Sequence, residues 1–95
     1  MQIKRTDIFS KWFEHLKDRR AKAIIAQRII RVADGLFGDF KSVGNGISEI
    51  RINYGPGYRV YCTIRGNELI ILLCGGDKSS QKEDIAYAKR IVEEF

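Results

Sequence analysis

At Ile47 the apolar residues of this chain stop recurring every three or four positions and begin to recur every second one, a switch that limits the fold more than any other feature. Ile50 and Ile52 alternate with Glu49, Arg51 and Asn53. Past Gly55-Pro56-Gly57, Val60, Cys62 and Ile64 alternate with Arg59, Tyr61, Thr63 and Arg65. Period two sends successive side chains to opposite faces of a strand, so this stretch reads as a hairpin with one apolar face and one polar, basic face. Gly66-Asn67 makes the next turn. Leu69-Ile70-Ile71-Leu72-Leu73-Cys74 is apolar on both faces, as in a central strand covered from each side, which gives a meander of three strands.

Before the switch the period is helical. Residues Met1 to Arg5 form a short edge strand, and Thr6 or Asp7 then caps a helix whose face is Ile8, Phe9, Trp12, Phe13 and Leu16. Asp18 caps a second helix with the stripe Ala21, Ile24, Ile25, Ile29, Val32 and Leu36, and Gly35 ends it in left-handed geometry. Arg28 falls at the edge of that stripe, where snorkelling or a carboxylate partner accounts for it better than a site does. Phe37 to Gly46 holds three glycines and no sustained period, and is expected to be a loop. Ser80-Gln81-Lys82-Glu83 has the capping-box pattern and opens a last helix with the stripe Ile85, Ala88, Ile91, Val92 and Phe95. The order strand, helix, helix, three strands, helix predicts an α+β fold over a single domain, 1–95. It is a small antiparallel sheet, the short N-terminal strand plus the three-strand meander. The two N-terminal helices pack on one sheet face, and the last helix is expected to stack there too.

Composition narrows the partner. Lys and Arg outnumber Asp and Glu by 17 to 12, a net charge of +5 on 95 residues, which favours a polyanion and names no chemistry. The same excess also serves simple solubility. Cys62 and Cys74 lie inside apolar runs, and with the one histidine, His15, they cannot make a four-ligand zinc site, so neither a metal nor another cofactor is expected. The start Met1-Gln2-Ile3-Lys4-Arg5 has no apolar core of a signal sequence, and the longest apolar run is Leu69 to Cys74, so a cytoplasmic protein without a membrane span is expected.

If Tyr54 and Tyr58 pair across the turn, Arg51 stands opposite Tyr61 and Asn53 opposite Arg59. The two arginines are then diagonal neighbours about 7–8 Å apart on the polar face. Two like charges held that close invite an anion between them, and the planar guanidinium fork fits a phosphodiester. Tyr61 offers a surface on which a base stacks. Lys78 leaves the central strand nearby, and Lys82 occupies the first turn of the last helix, where the dipole disfavours a cation. On pattern alone, the same residues equally suit a solvated sheet face. His15 is expected on a helix surface.

The string Glu49-Ile50-Arg51-Ile52-Asn53-Tyr54-Gly55-Pro56-Gly57-Tyr58-Arg59-Val60-Tyr61, followed by Leu72-Leu73-Cys74-Gly75-Gly76-Asp77-Lys78-Ser79-Ser80-Gln81, resembles the HigB-type branch of the RelE/ParE toxin superfamily, the phage-derived addiction-module killer proteins. The resemblance spans essentially the whole chain, and its element order is that of the RelE-like fold. It implies a toxin of a type II toxin–antitoxin pair, a ribosome-dependent endoribonuclease in which the RNA 2′-hydroxyl attacks the adjacent phosphate. Arg59 matches the phosphate-stabilising arginine, and Arg51 and Lys78 match basic residues that position RNA and move protons. With these three as the catalytic set, Asn53, Tyr61 and Lys82 are the RNA-binding set. The implied partners are the ribosome, mRNA and a HigA-like antitoxin with a helix-turn-helix domain. Where RelE-type enzymes carry Tyr, or some HigB proteins His, this chain reads Glu83-Asp84-Ile85, which leaves the general base unassigned. A lysine serves as base only where neighbouring cations lower its pKa. Two other readings stay open on the residues: a ParE-like inhibitor of DNA gyrase without nuclease chemistry, and a plain nucleic-acid-binding module.

Overall fold

A computed structural model describes all 95 residues, Met1–Phe95. Strand β1 (Gln2–Arg5) leads into helices α1 (Asp7–Glu14) and α2 (Arg19–Ala33); β2 (Phe40–Gly44), β3 (Ile47–Ile52), β4 (Tyr58–Arg65) and β5 (Leu69–Asp77) follow, then a short 3₁₀ turn at Lys78–Ser80 and helix α3 (Gln81–Val92). The five strands form one sheet in the order β1-β5-β4-β3-β2. β1 runs parallel to β5, while the other three pairings are antiparallel. The fold class is α+β as the periodicity predicts, but the sheet is mixed and has five strands.

Both early helices begin where their caps predict. Thr6 Oγ1 accepts from Phe9 N at 3.0 Å, and Asp18 Oδ1 accepts from Arg20 N and Ala21 N at 2.9 and 3.1 Å. Gly35, at φ +87°, closes α2. Their apolar stripes meet one face of the sheet in a core of Phe9, Ile25, Ile29, Val32, Ile50, Ile52, Val60, Cys62, Ile70 and Leu72, with Trp12 and Phe13 packed against it. Leu36, placed on the α2 stripe by spacing, lies beyond the helix end and is exposed, as Phe95 is after α3.

Helix α3 takes the opposite face, packing Ala88 and Ile91 on Ile47, Tyr61, Ile71, Leu73 and Cys74. This corrects the expectation that all helices stack on one side. The reason lies in β5, whose apolar residues face both ways and need cover on each face. Ser80 opens α3 but makes no capping bond to the helix backbone; its hydroxyl donates to Asp84 Oδ2 at 2.6 Å, so the expected capping box is not formed.

Two further expectations change. Phe37 to Gly46 is not all loop, because Phe40–Gly44 pairs with β3. A register shift between Ser42 and Gly44 breaks its alternation, and the turn through Gly44, Asn45 and Gly46 takes positive φ at all three residues, so no period of two survives to be read. The β3–β4 hairpin pairs Ile52 with Tyr58, Arg51 with Arg59 and Glu49 with Tyr61, two residues away from the expected register. A slip of two keeps every side chain on its face and changes only its partner. It arises because Asn53 to Gly57 form a longer turn, closed by Gly57 N donating to Tyr54 O, from which Tyr54 reaches out to donate to Asp18 Oδ2 at 3.1 Å. Arg28 finds no carboxylate; its guanidinium donates to the carbonyls of Phe37, Asp39 and Arg51, tying α2 to the approach of β2 and to β3.

Gly75 has a packing reason: a Cβ there would fall inside the Trp12 ring, which lies against the β5 backbone. Gly75→Ala should therefore cost about 1–3 kcal/mol, read as a lower urea midpoint with unchanged slope; an unchanged midpoint would refute the contact. Cys62 and Cys74 are free and buried, and burial pushes both thiols up to about 12. Neither should react with a thiol reagent at pH 8 until the protein unfolds.

Candidate nucleic-acid interface

On the α3 side of the sheet, β3 presents Ile47, Glu49 and Arg51 in line, and β4 presents Arg59, Tyr61 and Thr63 beside them. The expected coincidence of Arg51 and Arg59 on one face is met, and more closely than the diagonal arrangement: they are direct cross-strand partners. Two guanidiniums opposite one another repel. The anion that resolves the repulsion is internal. Glu49, fully buried, accepts from Arg51 Nε at 2.9 Å and stands 3.8 Å from Arg59 Nε through the same oxygen, Oε1. These are the only two ion pairs in the protein.

The other oxygen, Oε2, accepts from the Tyr61 hydroxyl at 3.1 Å and from Gln81 Nε2 at 2.7 Å. A buried carboxylate is tolerable only when paired and hydrogen-bonded, and this one has both. Tyr61 is itself wholly buried, so the expected stacking surface is absent. Burial, with the Glu49 charge beside it, holds its hydroxyl protonated well above the ordinary tyrosine range. The polar face therefore is not open: α3 covers its Tyr61 half, and only its Arg51 end reaches solvent.

Three basic groups meet at that end. Arg59 Nη1 donates to the carbonyls of Gly57 and Tyr58, both at 3.1 Å. The Arg59 side chain is nearly buried: its Nε has no hydrogen-bond partner beyond the 3.8 Å approach to Glu49, and Nη2 is its one nitrogen with neither. Arg51 is a third exposed, and with Nε on Glu49 both of its terminal nitrogens remain unpartnered. Lys78 N donates to Gly57 O at 2.9 Å, and the Lys78 stem and Arg59 Nη1 both lie against Gly57, where a Cβ would come within 3.3 and 3.5 Å of them. With φ at +81°, Gly57 takes a backbone conformation that favours glycine, and the two cations lie beside it at one corner.

Asn53 sits exposed just past the end of β3, and Lys82 is exposed in the first turn of α3, one residue after Gln81. Neither touches Glu49 or the arginines through a hydrogen bond or ion pair. His15 is exposed on the far side, at the end of α1, with Nδ1 2.6 Å from the Lys11 carbonyl. None of the protein's cavities is lined by Arg51, Arg59 or Lys78. A cationic corner onto which none of these cavities opens suits an extended polyanion better than a small molecule.

Glu49 and Gln81 were not singled out by spacing. The signal for Glu49 was present, since it is the one acidic residue between Asp39 and Glu68, a stretch that carries Arg51, Arg59 and Arg65. Nearby, Gly76 lets Asp84 of α3 close on the sheet, for a Cβ there would collide with Oδ2. Burial raises the Asp84 pKa, whereas hydrogen bonds from Ser79, with the Arg59 charge nearby, lower that of Asp77. Asp77 thus favours the folded state above the ordinary aspartate value and loses that contribution as pH falls. Asp84 has the opposite sign, favouring the native state when protonated and opposing it as pH rises. A carboxyl NMR titration should find the Asp77 midpoint below 3.8 and the Asp84 midpoint above it; the reverse order would contradict these surroundings.

Three comparisons bear on this arrangement. Residues 11–93 match the family described as "Phage derived protein Gp49-like". A protein of Haemophilus influenzae, described as uncharacterized, is 53% identical over 95 residues, covering 100% of this chain and 96% of that one. Among solved structures, the free state of an arginine-to-alanine double mutant of the E. coli toxin RelE superposes with a TM-score of 0.74 over 94% of this chain and 95% of that one. At 14% identity that likeness shows the fold, which is RelE-like.

Proposed function

The chain belongs to the family of phage-derived Gp49-like proteins, and from that membership we propose that it is the toxin of a type II toxin–antitoxin pair, a ribosome-dependent endoribonuclease acting on mRNA. The observation that carries the reading is the corner at Gly57, where Arg51, Arg59 and Lys78 leave their outward donors free of any carboxylate.

In the reaction the RNA 2′-hydroxyl gives up its proton to solvent and its oxygen forms a bond to the adjacent phosphorus while the bond to the 5′-oxygen breaks, giving a 2′,3′-cyclic phosphate and a 5′-hydroxyl. Negative charge grows on the non-bridging oxygens. Arg59 Nη2 and the terminal nitrogens of Arg51 meet that charge, a stabilisation of the kind that one oxyanion-hole donor supplies in acyl transfer, about 10²–10³-fold. Lys78, an exposed ammonium at the same corner, supplies a proton to the departing 5′-oxygen. Asn53 and Lys82 flank the corner as RNA contacts.

What the chain lacks supports the dependence on the ribosome. The corner has no groove to hold a flexible RNA strand and no imidazole facing it, since His15 lies on α1. Charge stabilisation is present, but positioning of the strand must come from elsewhere. A HigA-like antitoxin with a helix-turn-helix domain is the partner that the toxin reading implies, and the cytoplasm is the compartment that holds ribosomes; no helix here is long and apolar enough to cross a membrane.

Purified protein added to programmed ribosomes should cut mRNA within the reading frame, seen by primer extension, and should leave free mRNA largely intact. Arg59→Lys should lower the cleavage rate about a hundredfold while the protein stays folded, because an ammonium cannot reproduce the fork. Intact mRNA on ribosomes, together with blocked supercoiling by gyrase, would replace this reading with the gyrase one.

A further inference from the structure

Glu49 takes no part in the bond-making and bond-breaking of this cleavage, although both arginines converge on it. We infer that Glu49, braced by Tyr61 and Gln81, is the positioning residue that aims the two guanidiniums at the phosphodiester, and that it is not the base that takes the 2′-proton. The inference rests on the cleavage reading for its substrate and on the side-chain geometry for its substance.

Both oxygens of Glu49 are committed. Oε1 takes Arg51 Nε at 2.9 Å with Arg59 Nε 3.8 Å away, and Oε2 takes the Tyr61 hydroxyl at 3.1 Å and Gln81 Nε2 at 2.7 Å. The residue has no exposed surface. A general base must come within about 2.6–3.2 Å of the group that it deprotonates, and no RNA hydroxyl reaches this carboxylate without dismantling the network. Holding Arg51 by Nε, however, fixes its guanidinium against the carboxylate and leaves both terminal nitrogens without a protein partner. One carboxylate between two guanidiniums leaves the trio at net +1, enough to let them stand as cross-strand partners while still attracting a single phosphodiester.

The braces are chosen to the same end. Tyr61 and Gln81 are neutral donors, so they fix the carboxylate without cancelling its charge. They come from β4 and α3, so the aim of arginines on β3 and β4 depends on α3 being docked. Tyr61 cannot contact RNA, being wholly buried. Its loss therefore separates aiming from binding.

The test is Tyr61→Phe beside Glu49→Gln, each measured for cleavage on programmed ribosomes and for the arginine Nε–H signals by NMR. At metal centres, loss of the partner that orients a ligand costs about 10–100-fold in activity, and an orienting carboxylate is expected to act on a similar scale. Tyr61→Phe should remain folded at the assay temperature, lower kcat about tenfold, leave KM unchanged and shift the Arg51 Nε–H resonance; Glu49→Gln should lower kcat more strongly and expose that proton to rapid exchange. Tyr61→Phe cutting at the wild-type rate with an unmoved resonance overturns the inference. So does a Glu49→Gln protein whose pH–rate profile loses its rising limb while Tyr61→Phe is normal, since that outcome makes Glu49 the base. Should wild-type protein fail to cut at all, the cleavage reading has failed, and titration with inorganic phosphate then decides: weaker phosphate binding in both variants supports the aiming role, and equal binding overturns it.

Discussion

A carboxylate taken wholly out of water must be compensated on every side, and at Glu49 the compensation comes from β3, β4 and α3 together. Arg51 and Arg59 supply charge, while Tyr61 and Gln81 supply neutral donors. Removing one partner of such a group typically costs about 3–5 kcal/mol, so the network constrains how the last helix sits on the sheet as much as the apolar contacts of Ala88 and Ile91 do. It also explains the uneven surface of the polar face. The inner half is sealed by α3 over the buried carboxylate, and at the outer end Arg51, held by its Nε, is a third exposed with its terminal nitrogens unpartnered.

The glycines around this network serve close approach more than flexibility. Gly75 admits Trp12 to one face of β5, and Gly76, the next residue, admits Asp84 to the other. Adjacent positions on a strand face opposite ways, so a Gly-Gly pair is what a central strand needs when a helix must press on each side at the same level. Gly57 differs: its φ of +81° calls for glycine, while Lys78 and Arg59 lie beside it at nearly ordinary contact distance. The run from Gly75 to Lys78 thus carries a packing requirement at its first two positions and, at its last, a cation of the proposed site.

Much of the fold was legible because its signals are local. Period two from Ile50 to Ile64, the caps Thr6 and Asp18, and the left-handed Gly35 each declare themselves within a few residues. What escaped depends on residues far apart. The strand Phe40–Gly44 is hidden by its bulge and owes its existence to pairing with β3. The side taken by α3 follows from the demands of β5, not from its own sequence. The hairpin register turned on the length of the Asn53 to Gly57 turn; the two-residue slip preserved the face of Arg51 and Arg59 but replaced a diagonal pair by a direct one. That replacement is what made an internal anion necessary. Glu49 alternates with apolar residues as a solvated acid would, and only the convergence of three elements reveals it as buried.

The balance of charge connects this site to the rest of the surface. Helix α2 carries Arg19, Arg20, Lys22, Arg28 and Arg31 with no acidic residue in its length, so its cations equal the net +5 of the whole chain. With ion pairs formed only at Glu49, that excess is left to solvent and counterions. A field of this kind raises the rate at which a polyanion arrives, but it fades within a Debye length and fixes no geometry. Geometry is fixed at one place, where a buried carboxylate converts two mobile side chains into oriented donors. Under the cleavage reading the division is physical: the diffuse charge brings the protein to RNA, the larger assembly holds the strand, and the Glu49 network decides which phosphodiester oxygens the arginines meet.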